Sequence, residues 1–432
     1  QVDGAGVDAE QVVELAFERD TGYARRMHLA RTTLGWLLCP LLACAESTSS
    51  DGLADEGGLE AGACATEQTL VVVEFEAGEP TSSTASFASD TTWRGPLVSG
   101  DFDGDGLADL VGGAEIVFGP LDDASARVAL DFDPLEYRSA LVVDLEGDGR
   151  DELLVSTTRE LDGIPVVRQF HVSAERSVAE DLLPAWSDSS SSGEAVLAAG
   201  DASGDGEADV VIGGPTNFAL LVGDGAGGYA AVQQFGYSIG SASHHPTALA
   251  LAQLDGVGGL DMLSTHRIDG FSDTAPNDFI LHGVGLEDGD PHFEQSDLEY
   301  PARAATFADV TQDGTLDVLV WSTQVHVYAG LAEGGFASAS LAFETALSTS
   351  RVTMHAVDLD GDAQLDLVLS PDQGEVPMFA QGLPDGHFVE PQPLAPGFDG
   401  EIPAATVVDY DNDGALEIVA HARACTDGGV IF

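Results

Sequence analysis

The chain contains no lysine. All 15 of its basic residues are arginine, set against 74 Asp plus Glu, for a formal net charge of -59 over 432 residues. A field of that sign repels nucleic acid and anionic head groups, so neither is expected as a partner. Without lysine there is no Schiff-base chemistry, and no serine or cysteine stands in a nucleophile constellation. No glycine-rich loop leads into a helix as a phosphate cradle requires; the Gly-rich stretches read as turns. Cysteines number four, and the one clear apolar run, 34–42, is too short to span a bilayer. No catalytic residue and no organic cofactor site is expected.

What is present is an ample apolar content, 44%, together with 51 glycines. The first is enough for a sizeable core, and the second fits many short strands joined by tight turns better than long helices. Residues 101–109 read D-F-D-G-D-G-L-A-D. As a core strand this stretch would carry unpaired charge along one face. As a turn it has the spacing a hard cation needs: Asp101, Asp103 and Asp105 converge, Gly106 permits a sharp bend, and Asp109 closes the shell. Apolar segments flank it, so it reads as a metal turn between two strands, with no helices of the EF-hand kind.

The turn recurs. Asp144, Glu146, Asp148 and Glu152 form a second copy, and Asp201, Ser203, Asp205 and Asp209 a third. The fourth keeps Asp255 and Asp261 but has Val257 at a ligand position, and is expected to be empty or weak. Asp309, Thr311, Asp313 and Asp317 form the fifth copy. The sixth has Asp358, Asp360, Asp362 and Asp366, and the seventh Asp409, Asp411, Asp413 and Glu417. In the sixth, Ala363 replaces the glycine, which adds strain if the backbone there needs φ > 0 and weakens binding. All-oxygen, flexible, crowded ligands suit Ca2+ better than octahedral Mg2+, so up to six calcium ions are expected, stiffening turns rather than catalysing. Each copy sits in about 50 residues with β-branched runs on either side, four strands in all, which is the size of a propeller blade. The seventh copy is followed by too few residues for a full blade. The unassigned run at 70–75 is expected to complete it and close the ring, removing free edges.

These units resemble FG-GAP/VCBS repeats, which build the seven-bladed propeller of integrin α subunits and of many bacterial surface proteins. Phe118-Gly119-Pro120 echoes the motif that names the family. The resemblance covers 66–432 and implies an all-β, seven-bladed β-propeller with calcium loops between the first and second strands of the blades. It also implies that ligands meet the face opposite the metal loops. Candidate anchors there are Tyr137, Arg138, Trp186, Tyr237, His244, His245, Tyr300, Arg303 and Phe398, with the insertion at 267–278. The histidines, including His266, read as surface loop residues.

The amino end reads as an address. Residues 1–26 fit no signal peptide and are taken as an over-called start before Met27. Residues 27–43 resemble a bacterial lipoprotein signal with its lipobox, placing lipid on Cys44; an ordinary secretory signal is the alternative. Residues 44–65 form a Ser/Gly/acid-rich tether. In an oxidising compartment Cys64 and Cys425, at the two ends of the folded part, are expected to form a disulfide; two free buried thiols are the alternative. The resulting expectation is a calcium-stabilised, monomeric, envelope-anchored protein that binds a protein or glycan, touches membrane only through its lipid, and does no chemistry. The rival class is a calcium-dependent polysaccharide-acting enzyme or a propeller phosphatase.

Overall fold

The computed structural model of the chain describes residues 67–423, apart from 77–78, 89–94, 122–124, 133–136, 159–164, 184–194, 215–216, 237–243, 255–259, 269–278, 288–289, 333, 348–351, 372–374 and 395–400. The described residues form strands and turns, with no helix. The strands make seven four-stranded antiparallel sheets. The first sheet runs Leu97–Gly100, Asp109–Gly112, Glu115–Val117 and Arg127–Ala129. The second runs Tyr137–Val143, Glu152–Thr158, Pro165–Val172 and Val178–Leu182. The third is Val196–Gly200, Asp209–Gly213, Asn217–Gly223 and Tyr229–Gly236, and the fourth His244–Ala252, Asp261–Ile268, Phe279–Glu287 and Asp290–Asp297. Ala304–Ala308, Asp317–Trp321, Gln324–Tyr328 and Ser340–Glu344 make the fifth; Val352–Val357, Asp366–Pro371, Met378–Ala380 and Gln392–Pro393 make the sixth.

The seventh sheet joins the two ends of the fold. Glu401–Val408 pairs with Glu417–Arg423, which pairs with Glu67–Glu76 in the register Val72↔Val419, and that strand pairs in turn with Glu79–Ala88. The segment at 70–75 thus completes the last sheet as its composition implies, but it brings a partner. Two amino-terminal strands are contributed where one was expected. Glu79–Ala88 reads E-P-T-S-S-T-A-S-F-A, too poor in apolar residues to announce an outer strand.

The sheets succeed one another around a closed ring. Each first strand adjoins that of the next sheet from Leu97–Gly100 to Val352–Val357; Asp366–Pro371 adjoins Glu401–Val408, and that strand returns to Leu97–Gly100. Strand periodicity explains how one sheet serves two neighbours. Successive side chains point to opposite faces, so Leu110 enters the core shared with the seventh sheet while Val111 enters the core shared with the second. Leu153 and Leu154, Val210 and Val211, Met262 and Leu263, Val318 and Leu319, Leu367 and Val368, and Ile418 and Val419 divide in the same way. Both faces of each second strand are therefore buried, which is why these strands read as unbroken apolar runs rather than alternating ones. Each such side chain contributes about 1.5–3 kcal/mol by leaving water.

Every second strand begins on an acid: Asp109, Glu152, Asp209, Asp261, Asp317, Asp366 or Glu417, each paired with the last residue of the first strand. All seven acidic turns therefore join first strands to second strands, at one rim of the ring.

Candidate metal centres in the first turns

The first turn is organised by its own carboxylates. Asp101 accepts the amide N–H groups of Gly104, Asp105 and Gly106 at 2.8, 3.1 and 2.9 Å. Asp105 accepts that of Leu107 at 2.9 Å. The chain turns through left-handed residues at the fourth and sixth positions, Gly104 (φ 74°) and Gly106 (φ 83°). Where glycine is missing the conformation persists: Gln312 (φ 56°) and Asn412 (φ 60°) at the fourth position, Ala363 (φ 67°) at the sixth. Ala363 is thus strained, by about 1–2 kcal/mol. The need for φ > 0 extends to the fourth position as well as the sixth, where the sequence pointed to it.

The closing acid does a separate job. Asp109 is fully buried and accepts one N–H from Phe102 at 2.9 Å and another from Gly119, beyond the third strand, at 2.8 Å. It ties the turn to the next corner of the sheet. Asp209 repeats this with Ser203 and Gly223, Asp261 with Leu254 and Gly283, Asp317 with Thr311 and Gly330, and Asp366 with Leu359 and Gly382. Glycine is required at the far end because a Cβ on Gly223, Gly330 or Gly382 would lie 2.1, 2.4 or 2.3 Å from the carbonyl oxygen of Ala208, Leu316 or Leu365. The fourth turn, poorest in ligands, keeps this clamp intact through Asp261. Its Asp255 and Val257 lie outside the described residues.

Ligand atoms converge to within 4.8 Å of one another in four groups among the described residues. Asp101, Asp103 and Asp109 form one, Asp358, Asp360 and Asp366 another, and Asp409, Asp411 and Glu417 a third. The fourth is Glu146, Glu152 and His171. The first, third and ninth positions therefore come together in the first, sixth and seventh turns. The fifth-position acids Asp105, Asp362 and Asp413, expected as ligands, are not among these groups; each accepts an amide through Oδ1, from Leu107, Gln364 and Ala415. In the second turn Asp148 caps Arg150, and Asp144 caps Asp148 and Gly149. In the third and fifth turns Asp201 and Asp309 hold the loop amides, Asp205 and Asp313 cap Glu207 and Thr315, and Ser203 and Thr311 bring hydroxyls in place of a third carboxylate. Ser203 Oγ is buried beside the Asp209 carboxyl, whose charged form it favours.

Burial pushes the Asp109 carboxyl up to about 7, against its two backbone hydrogen bonds, and the charges of Asp103 and Asp105 add to the rise. Asp366 is pushed up to about 6 by burial, with Asp360 and Asp362 adding to it, and burial raises Glu417 in the same direction. Buried carboxylates crowded by carboxylates are sites that a cation relieves. The oxygen-only donors of the first, sixth and seventh turns fit calcium.

Two positive or donor groups reach these turns from a distance. Arg176, at the left-handed corner (φ 64°) between the third and fourth strands of the second sheet, pairs with Asp103 at 2.6 Å and Asp105 at 3.2 Å across the sheet boundary. Its guanidinium lies 4.9 Å from the centroid of Phe118. Gln381 donates to Asp360 at 2.7 Å. Neither partner was legible in the sequence, since each lies a strand or a sheet away from its turn.

The other candidates divide. His266, read as a surface residue, is buried within Asp261–Ile268 beside Ser264 at 3.4 Å; the strands of the fourth sheet extend beyond the apolar runs that marked them. Tyr300 stacks on His326 with ring centroids 3.9 Å apart, and its amide donates to Tyr328 Oη, which makes it a packing residue. The Arg303 amide donates to the Trp321 carbonyl. Tyr137, Arg138, His244 and His245 lie on strands. Trp186, Tyr237, Phe398, the 269–278 insertion, and Cys39, Cys44, Cys64 and Cys425, with the proposed lipid and disulfide, lie outside the described residues.

Residues 309–369 and 358–420 match the FG-GAP-like repeat, each span starting on the first acid of a turn. No curated protein matches the chain. Among solved structures, an Agrocybe aegerita lectin studied for recognition of non-reducing terminal N-acetylglucosamine is similar at 17% identity and TM-score 0.54, over 78% of this chain and 91% of that one. BBS1N in complex with ARL6DN is similar at 13% identity and TM-score 0.46, over 79% and 95% of the two chains. The Dos1 propeller gives 10% identity and TM-score 0.42, over 78% and 82%.

Proposed function

We propose, from the premise that this chain is a β-propeller carrying FG-GAP-like repeats, that it is a calcium-stabilised binding protein without catalytic activity, held at the bacterial envelope by lipid on Cys44. The observation that carries the calcium reading is the convergence of three carboxylates, one of them buried, in the first, sixth and seventh turns. Calcium there would lock the rim of the ring and leave recognition to the opposite face. That division argues against chemistry at the metal, because these turns already use their carboxylates to organise backbone amides.

The ligand class is a protein or a glycan. The lectin of similar fold binds a terminal sugar, which makes glycans the first class to screen. The test is a glycan array, followed by affinity capture, using the chain from Cys44 onward in calcium. Calcium-dependent retention of one ligand class supports the reading. Calcium-dependent turnover of acidic polysaccharides or phosphoesters would overturn the non-catalytic assignment. Intact mass of the protein extracted from membranes tests the lipid on Cys44.

A further inference from the structure

The second turn assembles a donor set unlike the rest. Glutamates stand at its third and ninth positions, and a histidine joins them from the third strand. We propose that Glu146, Glu152 and His171 form a site for a borderline transition-metal ion, Zn2+ foremost, separate in chemistry from the calcium turns. The proposal rests on reading the acidic turns as cation sites, but it assigns this one a different ion.

Register brings the groups together. Leu153 pairs with Phe170, so Glu152 and His171 stand opposite each other one step further along the ladder. Nδ1 of His171 lies 3.6 Å from Glu152 Oε1 and 3.8 Å from Glu146 Oε1. Glu152 is buried and accepts the Leu145 amide through Oε2 at 2.7 Å, leaving Oε1 directed at the imidazole. In the Asp-closed sheets the corresponding oxygen accepts a glycine amide, as Asp109 does from Gly119. The second sheet has Val172 at the place of that glycine.

The surroundings complete the pattern of a histidine ligand. Nε2 of His171 lies 3.7 Å from Asp181, an exposed outer carboxylate. Glu146 is backed by the third sheet, where a Cβ on Gly227 would lie 2.6 Å from its Oε1, and Gln169 donates to the Gly227 carbonyl at 3.0 Å. Arg150 pairs with Asp148 and takes that carboxylate out of the ligand pool. Asp144 holds the amides of Asp148 and Gly149, and the ligand atoms that converge are one nitrogen and two carboxylates. That is the three-ligand set of a zinc site with an open position, and too few oxygens for calcium.

The competing reading is an imidazolium acting as counter-ion to its acidic neighbours. Untagged full-length protein, stripped with chelator and re-equilibrated in excess calcium, is titrated with Zn2+ by calorimetry under a zinc buffer and with Co2+ by visible absorption. The expected result is one tight zinc equivalent that calcium does not displace, a Co2+ spectrum with nitrogen ligation, and at least about 100-fold weaker zinc binding in His171→Gln. In that variant, calcium stoichiometry and the calcium-bound melting temperature stay as in the parent. Zinc binding that calcium abolishes, or that His171→Gln leaves unchanged, overturns the proposal. A chain that binds zinc but no calcium would instead overturn the calcium reading of the other turns.

Discussion

Five sheets close their first turn with aspartate and two with glutamate, and one methylene changes what the carboxylate does. The aspartates are fully buried and spend their two oxygens on two backbone amides, one from the turn and one from a glycine on or just beyond the third strand. Glu152 and Glu417 each hold a single turn amide, from Leu145 and Tyr410. Val172 and Phe75 stand where the glycine would be. The difference separates two functions that the repeat pattern merges. The closing acid is first a clamp that organises a corner of the sheet; a ligand role is proposed only where neighbouring carboxylates or a histidine converge on it. Asp261 makes the point from the other side, keeping the clamp in the turn that lacks a full ligand set.

The largest effect should come from breaking the clamp. In chelator, Asp317→Ala leaves two buried amides unpartnered and costs about 4 kcal/mol, whereas Glu152→Ala leaves one and costs about 2 kcal/mol, at about 1–3 kcal/mol per orphaned donor. Equal costs in denaturant unfolding would erase the distinction between the two kinds of turn.

The pH dependence of the chelated protein has two sources of opposite sign, buried histidines and the carboxylate turns. Nε2 of His355 is buried without a hydrogen-bond partner, and burial pushes the group down to about 4. Its unfolded pKa is near 6.5, so the unfolded chain takes up the proton first. Stability present above that value is lost as pH falls toward 4, by about 2 kcal/mol at pH 5. His355→Phe should flatten that limb, with His326, which burial also lowers, keeping part of it; the raised carboxyls of Asp109, Asp366 and Glu417 act in the opposite sense and favour the folded chelated chain as pH falls. An unchanged pH profile would show that His355 is already protonated or hydrated in the fold.

Among the described residues of the Asp-closed turns, Arg176 gives the first turn a built-in guanidinium. Arg176→Gln should destabilise the chelated protein by about 1.5 kcal/mol, a value typical of a charged hydrogen bond, while tightening calcium at that turn. Weaker calcium binding in the variant would mean that Arg176 assists the ion rather than competing with it. The smallest change is Ala363→Gly, which relieves the left-handed alanine and should add about 0.5–1 kcal/mol to stability. The same substitution at Asn412 should add less, since asparagine tolerates that conformation.

The acid spacing and the apolar runs of the second strands made the turns and sheets readable in sequence, because both faces of those strands are buried and every ligand position lies within nine residues. The fourth-position conformation was hidden because Gln312 and Asn412 occupy it without glycine. Glu79–Ala88 was hidden because its sequence carries few apolar residues. His171 and Arg176 were hidden for another reason: each meets its carboxylates across a ladder or a sheet boundary, and register, not spacing, brings them there. The buried position of His266 was misread because a strand can outrun its apolar stretch.

The most direct test of the central claim is calcium titration of the chelator-stripped protein by calorimetry, paired with melting curves in calcium and in chelator. Several calcium equivalents are expected, the first, sixth and seventh turns foremost, and a substantial drop in melting temperature when they are removed. Asp103→Asn, Asp360→Asn and Asp411→Asn should each lower the binding stoichiometry or affinity. Absence of calcium binding, together with identical melting curves in calcium and in chelator, would contradict it.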